Sequence, residues 1–173
     1  MATGWLVEND VVVTAGHCAF DHSHGLGRLV KVKAYVGYEG KARLGSEDPD
    51  ISQTVESRWG TAVVTTKGWM ESEQRQSSDI SVIKLEEPFK HVDKAVLFKG
   101  RTTPVGGGNV NLGVVGYPGD IIDDQERGAK MYEMFATTNY DLTGAYKNML
   151  QYKIDTNGGK GVLLSSDWKS VQG

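Results

Sequence analysis

Thr14-Ala15-Gly16-His17-Cys18 and Ser78-Asp79-Ile80-Ser81-Val82-Ile83-Lys84-Leu85 are the stretches whose reading decides how this chain folds. The first closes the apolar run Val11-Val12-Val13. The polar turn Glu8-Asn9-Asp10 joins that run to Trp5 and Val7, so the start of the chain reads as a β-hairpin that delivers a histidine at its end. In the second stretch Ile80, Val82 and Lys84 oppose Ser81, Ile83 and Leu85, a period of two that suits a largely buried strand opened by a carboxylate. An imidazole and a carboxylate are two members of an acid–base set whose third member is a nucleophile.

Between the two stretches, Val30, Val32, Ala34, Val36 and Tyr38 share one face of a predicted strand, with Lys31, Lys33 and Tyr35 on the other. Gly37 to Pro49 reads as a polar loop, and Ile51 to Val64 as two strand-like runs broken near Arg58-Trp59-Gly60. A boundary is expected between Glu86-Glu87-Pro88 and Thr103-Pro104, where charge and proline interrupt the pattern. Beyond it Val110 to Tyr117 and Met149 to Ile154 read as strands. Met131, Met134 and Phe135 have the i, i+3, i+4 spacing of a short helix.

The chain has 173 residues, 39% of them hydrophobic, with 22 glycines and four prolines beside short Val/Ile/Leu/Tyr runs. That length suits one large domain or two small ones, and the composition favours a turn-rich all-β architecture. A net charge of −3 gives no electrostatic case for nucleic acid or an anionic membrane. No apolar run approaches the roughly 20 residues that span a bilayer, and no signal-peptide pattern precedes Gly4-Trp5-Leu6-Val7. A single cysteine, Cys18, excludes a disulfide within the chain.

Thr14 to Cys18 matches, letter for letter, the histidine motif of trypsin-like peptidases, and Ser78 to Leu85 resembles their aspartate motif, in the family's order of His, Asp, Ser. The chain therefore resembles the trypsin-like, chymotrypsin-fold serine proteases over roughly residues 3 to 160. The resemblance implies an all-β, chymotrypsin-like double β-barrel with the second barrel truncated. Residues 1–95 would form the N-terminal barrel carrying His17 and Asp79. Residues 96–173 would form an incomplete C-terminal barrel ending just past the nucleophile loop. His17 is then the expected general base and Asp79, 62 residues on, its orienting carboxylate. Met1 lies so close to the first strand that the N-terminus is expected to be clipped, and the family implies secretion. Met131 to Tyr140 would, by the same resemblance, be strand rather than helix.

Asp155-Thr156-Asn157-Gly158-Gly159 resembles the approach to the family's nucleophile loop, D-T-x-G-G-x-S-G-S-P-V, but Lys160-Gly161-Val162-Leu163-Leu164 comes next. The nucleophile position holds Gly161, which has no side chain to attack with. Ser165 is a weak substitute, and like Ser166 lies too late for the turn that presents the hydroxyl. Gly159 and Gly161 would offer the two oxyanion-hole N–H groups, and Asp155 and Thr156 would stand at the specificity pocket. Lys160 and the run Gly113 to Asp120 resemble the glutamyl endopeptidase branch.

The expectation is thus a serine endopeptidase homologue acting on protein or peptide in its lineage but inactive as it stands, with no cofactor. The Val162 to Gly173 tail matches no protease strand pair, which points to a truncated or mis-spliced product. The alternative is a non-catalytic binding or regulatory homologue, self-associating through open barrel edges. A metal site on His17, Asp21, His22 and His24 is a lesser alternative, since a surface loop more often leaves such residues solvated. His91 is expected to be solvated, and Cys18 to be a small buried hydrophobe. Cys18 as a nucleophile is disfavoured because neighbours on an extended chain point apart.

Overall fold

Among the described residues the strands in chain order are β1 (Gly4–Glu8), β2 (Val11–Thr14), β3 (Phe20–Asp21), β4 (Gly27–Arg28), β5 (Lys33–Val36), β6 (Glu56–Thr65), β7 (Ser81–Leu85), β8 (Gly108–Gly116), β9 (Ile122–Asp123), β10 (Glu126–Arg127) and β11 (Tyr132–Tyr140). This computed structural model describes residues 2–44, 55–92, 108–123 and 125–140. Among the same residues a short α-helix, α1 (Lys67–Glu71), accompanies 3₁₀ turns at Gly16–Cys18, Lys41–Arg43 and Gln76–Ser78. The all-β reading holds. No helix among the described residues is long and apolar enough to cross a membrane.

β1 and β2 form the expected hairpin, with Trp5 opposite Val13 and Gly4 opposite Thr14. β2 then pairs antiparallel with β7, β7 with β6, and β6 with β5, giving a five-stranded sheet in the order β1-β2-β7-β6-β5. Its buried side gathers Val12, Ile83, Leu85 and Phe89, with Leu6, Val32, Ala34, Val36 and Val92 packed against them. Burying side chains of this size contributes roughly 1.5–3 kcal/mol each, so the pairing of β2 with β7 is fixed by its apolar face.

Three features differ from the sequence reading, and a fourth decides between two readings that it left open. β7 buries only Ser81, Ile83 and Leu85, while Val82 and Lys84 face outward, so it is half-buried rather than largely buried. Val30 leaves the alternating face and is 98% exposed, because the regular strand begins only at Lys33. β6 runs unbroken through Arg58-Trp59-Gly60 and takes up the irregularity as a register shift between Gly60 and Ala62. Glycine is needed there: a Cβ on Gly60 would lie 2.5 Å from Val32 Cγ1, where the Gly60 N–H donates to the Val32 carbonyl. Finally, Met131 stands just outside a strand and Met134 and Phe135 lie within it. β11 pairs along its length with β8, and Phe135 lies over Gly113, where a Cβ would come within 2.8 Å of the ring. Cross-strand packing overrides the local helical spacing.

The later strands are tied to the first sheet by a small polar network. The Tyr117 N–H donates to Thr3 Oγ1 at 3.0 Å, and its hydroxyl donates to the Tyr38 carbonyl at 3.2 Å. Tyr38, itself buried, donates its hydroxyl to Glu126, whose other oxygen accepts the Lys41 N–H at 2.6 Å. The expected boundary and the Met149 to Ile154 strand lie outside the described residues.

Candidate active site

Antiparallel pairing of Thr14 with Ser81 sets the segment after β2 beside the segment before β7. The histidine and the aspartate therefore leave the sheet at the same end, although 62 residues separate them. His17 sits in the 3₁₀ turn Gly16–Cys18, and Asp79 immediately succeeds the turn Gln76–Ser78 and precedes β7 rather than opening it. One carboxylate then grips the histidine twice. Asp79 Oδ1 accepts the His17 backbone N–H at 2.7 Å, and Oδ2 accepts from ring Nδ1 at 3.0 Å. A proton on Nδ1 facing a carboxylate leaves Nε2 as the ring nitrogen for exchange with a reacting group.

The turn is braced from below. Ser81, almost fully buried, donates its hydroxyl to the Ala15 carbonyl at 2.8 Å. Thr14 donates to the Thr3 carbonyl at 2.8 Å. Gly16 has no room for a side chain, since a Cβ would meet Asp79 Oδ1, the Ile80 nitrogen and Trp69 Cδ1 at 3.0 Å each. Trp69, buried in α1, donates its Nε1–H to the Phe20 carbonyl at 2.8 Å and sets its ring edge-on to His17 at 6.3 Å between centroids. Thr66 caps α1, accepting the Trp69 N–H and donating to the Ser78 carbonyl at 2.6 Å. Gly16, Trp69, Ser81 and Thr66 are thus site-building residues that the motifs alone did not single out. Only Thr66, a helix-capping threonine before Lys67-Gly68-Trp69, carried a local signal.

Cys18 is half-buried rather than a closed core residue, and the 3₁₀ turn removes the extended geometry that would point it away from His17. Its sulfur lies 3.7 Å from Thr14 Oγ1. The Cys18 side chain foremost, then Asp79, hold the proton on His17 against the opposing effect of partial burial, pushing its pKa up to about 9. Burial alone would raise the Cys18 thiol, but hydrogen bonding to His17 and Thr14 outweighs it and holds the thiol below its usual range.

The remaining histidines turn away from one another. His22 Nε2 donates to the Trp69 carbonyl at 2.6 Å, and its ring packs between Phe20 and Trp69. His24 Nδ1 pairs with Asp21 at 3.2 Å. His91, exposed as expected, is not simply solvated: its Nδ1 lies 2.9 Å from Glu56 Oε1. Among the described residues no three His, Cys, Asp or Glu side chains converge as metal ligands. Asp155, Thr156, Gly159, Gly161, Ser165 and Ser166 lie outside the described residues.

Known proteins resemble this chain in both sequence and fold. The trypsin family profile matches residues 1–118. An "Extracellular metalloprotease" of Bacillus subtilis (strain 168) is 30% identical over 189 aligned positions, covering 95% of this chain and 53% of that protein. The chain therefore spans about half the length of this curated relative. A solved Glu endopeptidase in complex with MPD superposes with a TM-score of 0.62 at 20% identity, over 94% of this chain and 68% of that one. Human heparin binding protein superposes at 0.55 with 14% identity, over 94% and 69%. Both share the chymotrypsin-like fold expected from the two motifs.

Proposed function

The chain belongs to the trypsin family, and from that premise we propose that it is a serine-endopeptidase homologue that keeps the acid–base half of the site and lacks the attacking group. The observation that carries this reading is the double grip of Asp79 on His17, at 2.7 and 3.0 Å. In a complete site of this kind the imidazole takes the nucleophile's proton and returns it to the leaving amine, while the carboxylate holds the tautomer and stabilises the imidazolium. His17 and Asp79 are assigned those roles.

The missing group is assigned from the sequence, where Gly161 stands at the position of the serine. Loss of that hydroxyl costs on the order of a millionfold in turnover. From the family pattern, Gly159 and Gly161 are assigned the backbone N–H groups of an oxyanion hole, and Asp155 and Thr156 the approach to the substrate pocket. These residues would polarise a carbonyl without cleaving it.

The ligand class is protein or peptide, as the family implies, with no nucleic-acid or membrane role. Preference for glutamate rests on the likeness of Lys160 and Gly113 to Asp120 to the glutamyl endopeptidase branch. Secretion is supported by the extracellular relative. A division into two barrels at residues 95 and 96 is part of the same proposal.

A second reading, a binding or regulatory homologue, gains support from Val64 (67% exposed), beside Val82 on the outer face of the sheet, which offers apolar surface for self-association. Quenched fluorescent peptides with Glu, Lys or Arg before the scissile bond test the main reading. The expected result is the same background rate for the chain and for His17→Ala. Hydrolysis that disappears in His17→Ala would overturn it.

A further inference from the structure

Just behind the catalytic turn, the stretch that links β4 to β5 carries Arg28, Lys31 and Lys33, all exposed and none with a carboxylate partner among the described residues. Lys31 Nζ lies 4.0 Å from the centre of the Trp59 ring, and Lys33 Nζ 5.2 Å from it, so two cations approach one aromatic ring. Arg28 and Lys31 also line a cavity of about 330 Å³ whose apolar wall includes Phe20, Val30, Val63 and Met70. That volume falls at the lower end of ligand-binding pockets. Val30 extends 98% exposed at its rim, and Val63 and Met70 are 37% and 38% exposed. β5 ends the sheet, so its second edge pairs with no strand among the described residues.

We propose that this face is a docking site for an extended acidic peptide segment with interspersed apolar side chains. Charge complementarity fixes the sign of the partner. Three cations on one short segment, without a carboxylate partner among the described residues, repel one another, and an acidic chain relieves that repulsion. The apolar wall separates a peptide from a purely anionic polymer, because Val30, Val63 and Met70 gain nothing from a ligand without apolar groups. The cavity opens between residues 28–32 and residues 60–65 of β6, so apolar side chains of a bound peptide have a wall to pack on beside the cations. The site is adjacent to His17 but stands on its own charges and surface, and it holds whether or not the chain cleaves peptides.

The test is fluorescence anisotropy of a fluorescein-labelled peptide alternating glutamate and leucine, titrated with the full chain at low and physiological salt. Saturable binding that weakens with salt is expected. Lys31→Glu with Lys33→Glu should weaken it about tenfold or more, the scale of reversing exposed charge pairs. Val30→Ser should weaken it about threefold, the order expected when a small apolar contact is lost. All three side chains are exposed, so near-ultraviolet circular dichroism should show every variant folded. No saturable binding, equal binding of a lysine–leucine peptide, or unchanged affinity in the double charge reversal would overturn the proposal. So would a sulfated oligosaccharide that competes fully and binds the Val30→Ser chain as tightly as the parent, since the surface would then read charge alone.

Discussion

His17 receives two contacts from one carboxylate and a third influence from its own neighbour, Cys18. With its pKa pushed up to about 9, the ring is protonated at neutral pH and becomes a proton acceptor only on the alkaline side. Nuclear magnetic resonance titration of the imidazole should therefore give a midpoint near 9 in the parent chain. Asp79→Asn should lower it, and Cys18→Ala should lower it further, because the Cys18 side chain is the larger influence. A midpoint unmoved by either change would show that neither group touches the ring.

The motif Thr14 to Cys18 made His17 legible because five letters in register are specific, and Asp79 followed from its partner motif. Trp69 and Ser81 were not legible. Their roles arise from contacts across 49 and 66 residues, which no local spacing encodes. Cys18 was misjudged through the backbone: an extended chain separates adjacent side chains, whereas the 3₁₀ turn does not.

At the scale of elements, the strand that brings Asp79 to His17 is placed by its buried side, Ser81, Ile83 and Leu85, and the neighbouring β6 is anchored to the chain beyond β7 by one acid. Glu56 accepts the N–H groups of Lys90 and His91 at 3.0–3.1 and 2.6 Å and pairs with Arg58 at 2.7 Å, its own side chain only 11% exposed. Burial would raise this carboxyl, but those donors and the guanidinium outweigh it and hold it below the usual range.

A depressed folded-state value stabilises the fold above the ordinary carboxylate pKa, and this contribution is lost as pH falls through the folded value. Glu56→Gln should therefore destabilise the chain at neutral pH by roughly 1.5–3 kcal/mol, the range for hydrogen bonds to a charged group. Denaturant unfolding at pH 7 and pH 3 checks this: the gap between parent and variant should close at the lower pH. A gap of the same size at both values would refute the ionised anchor. An apolar run found β2 and alternation found β7, whereas residue spacing left β11 open between helix and strand, and Gly113 opposite Phe135 settles it as strand through a partner.

For the molecule as a whole, the network of Thr3, Tyr117, Tyr38, Lys41 and Glu126 joins the later strands to the sheet that carries the acid–base pair. The trypsin-family fold thus places His17 and Asp79 on one end of a sheet, while the third motif of the sequence, at Asp155 to Gly159, departs from the family pattern at Lys160. An assembled imidazole–carboxylate couple without a hydroxyl at position 161 has a sharp chemical signature, because fluorophosphonates label only a nucleophile activated by such a couple. The decisive measurement is incubation of the full chain with a fluorophosphonate probe, with mass mapping of any adduct against the His17→Ala chain. No His17-dependent adduct is expected. An adduct on Ser165 or Ser166 that vanishes in His17→Ala would contradict the assignment of a site without its nucleophile.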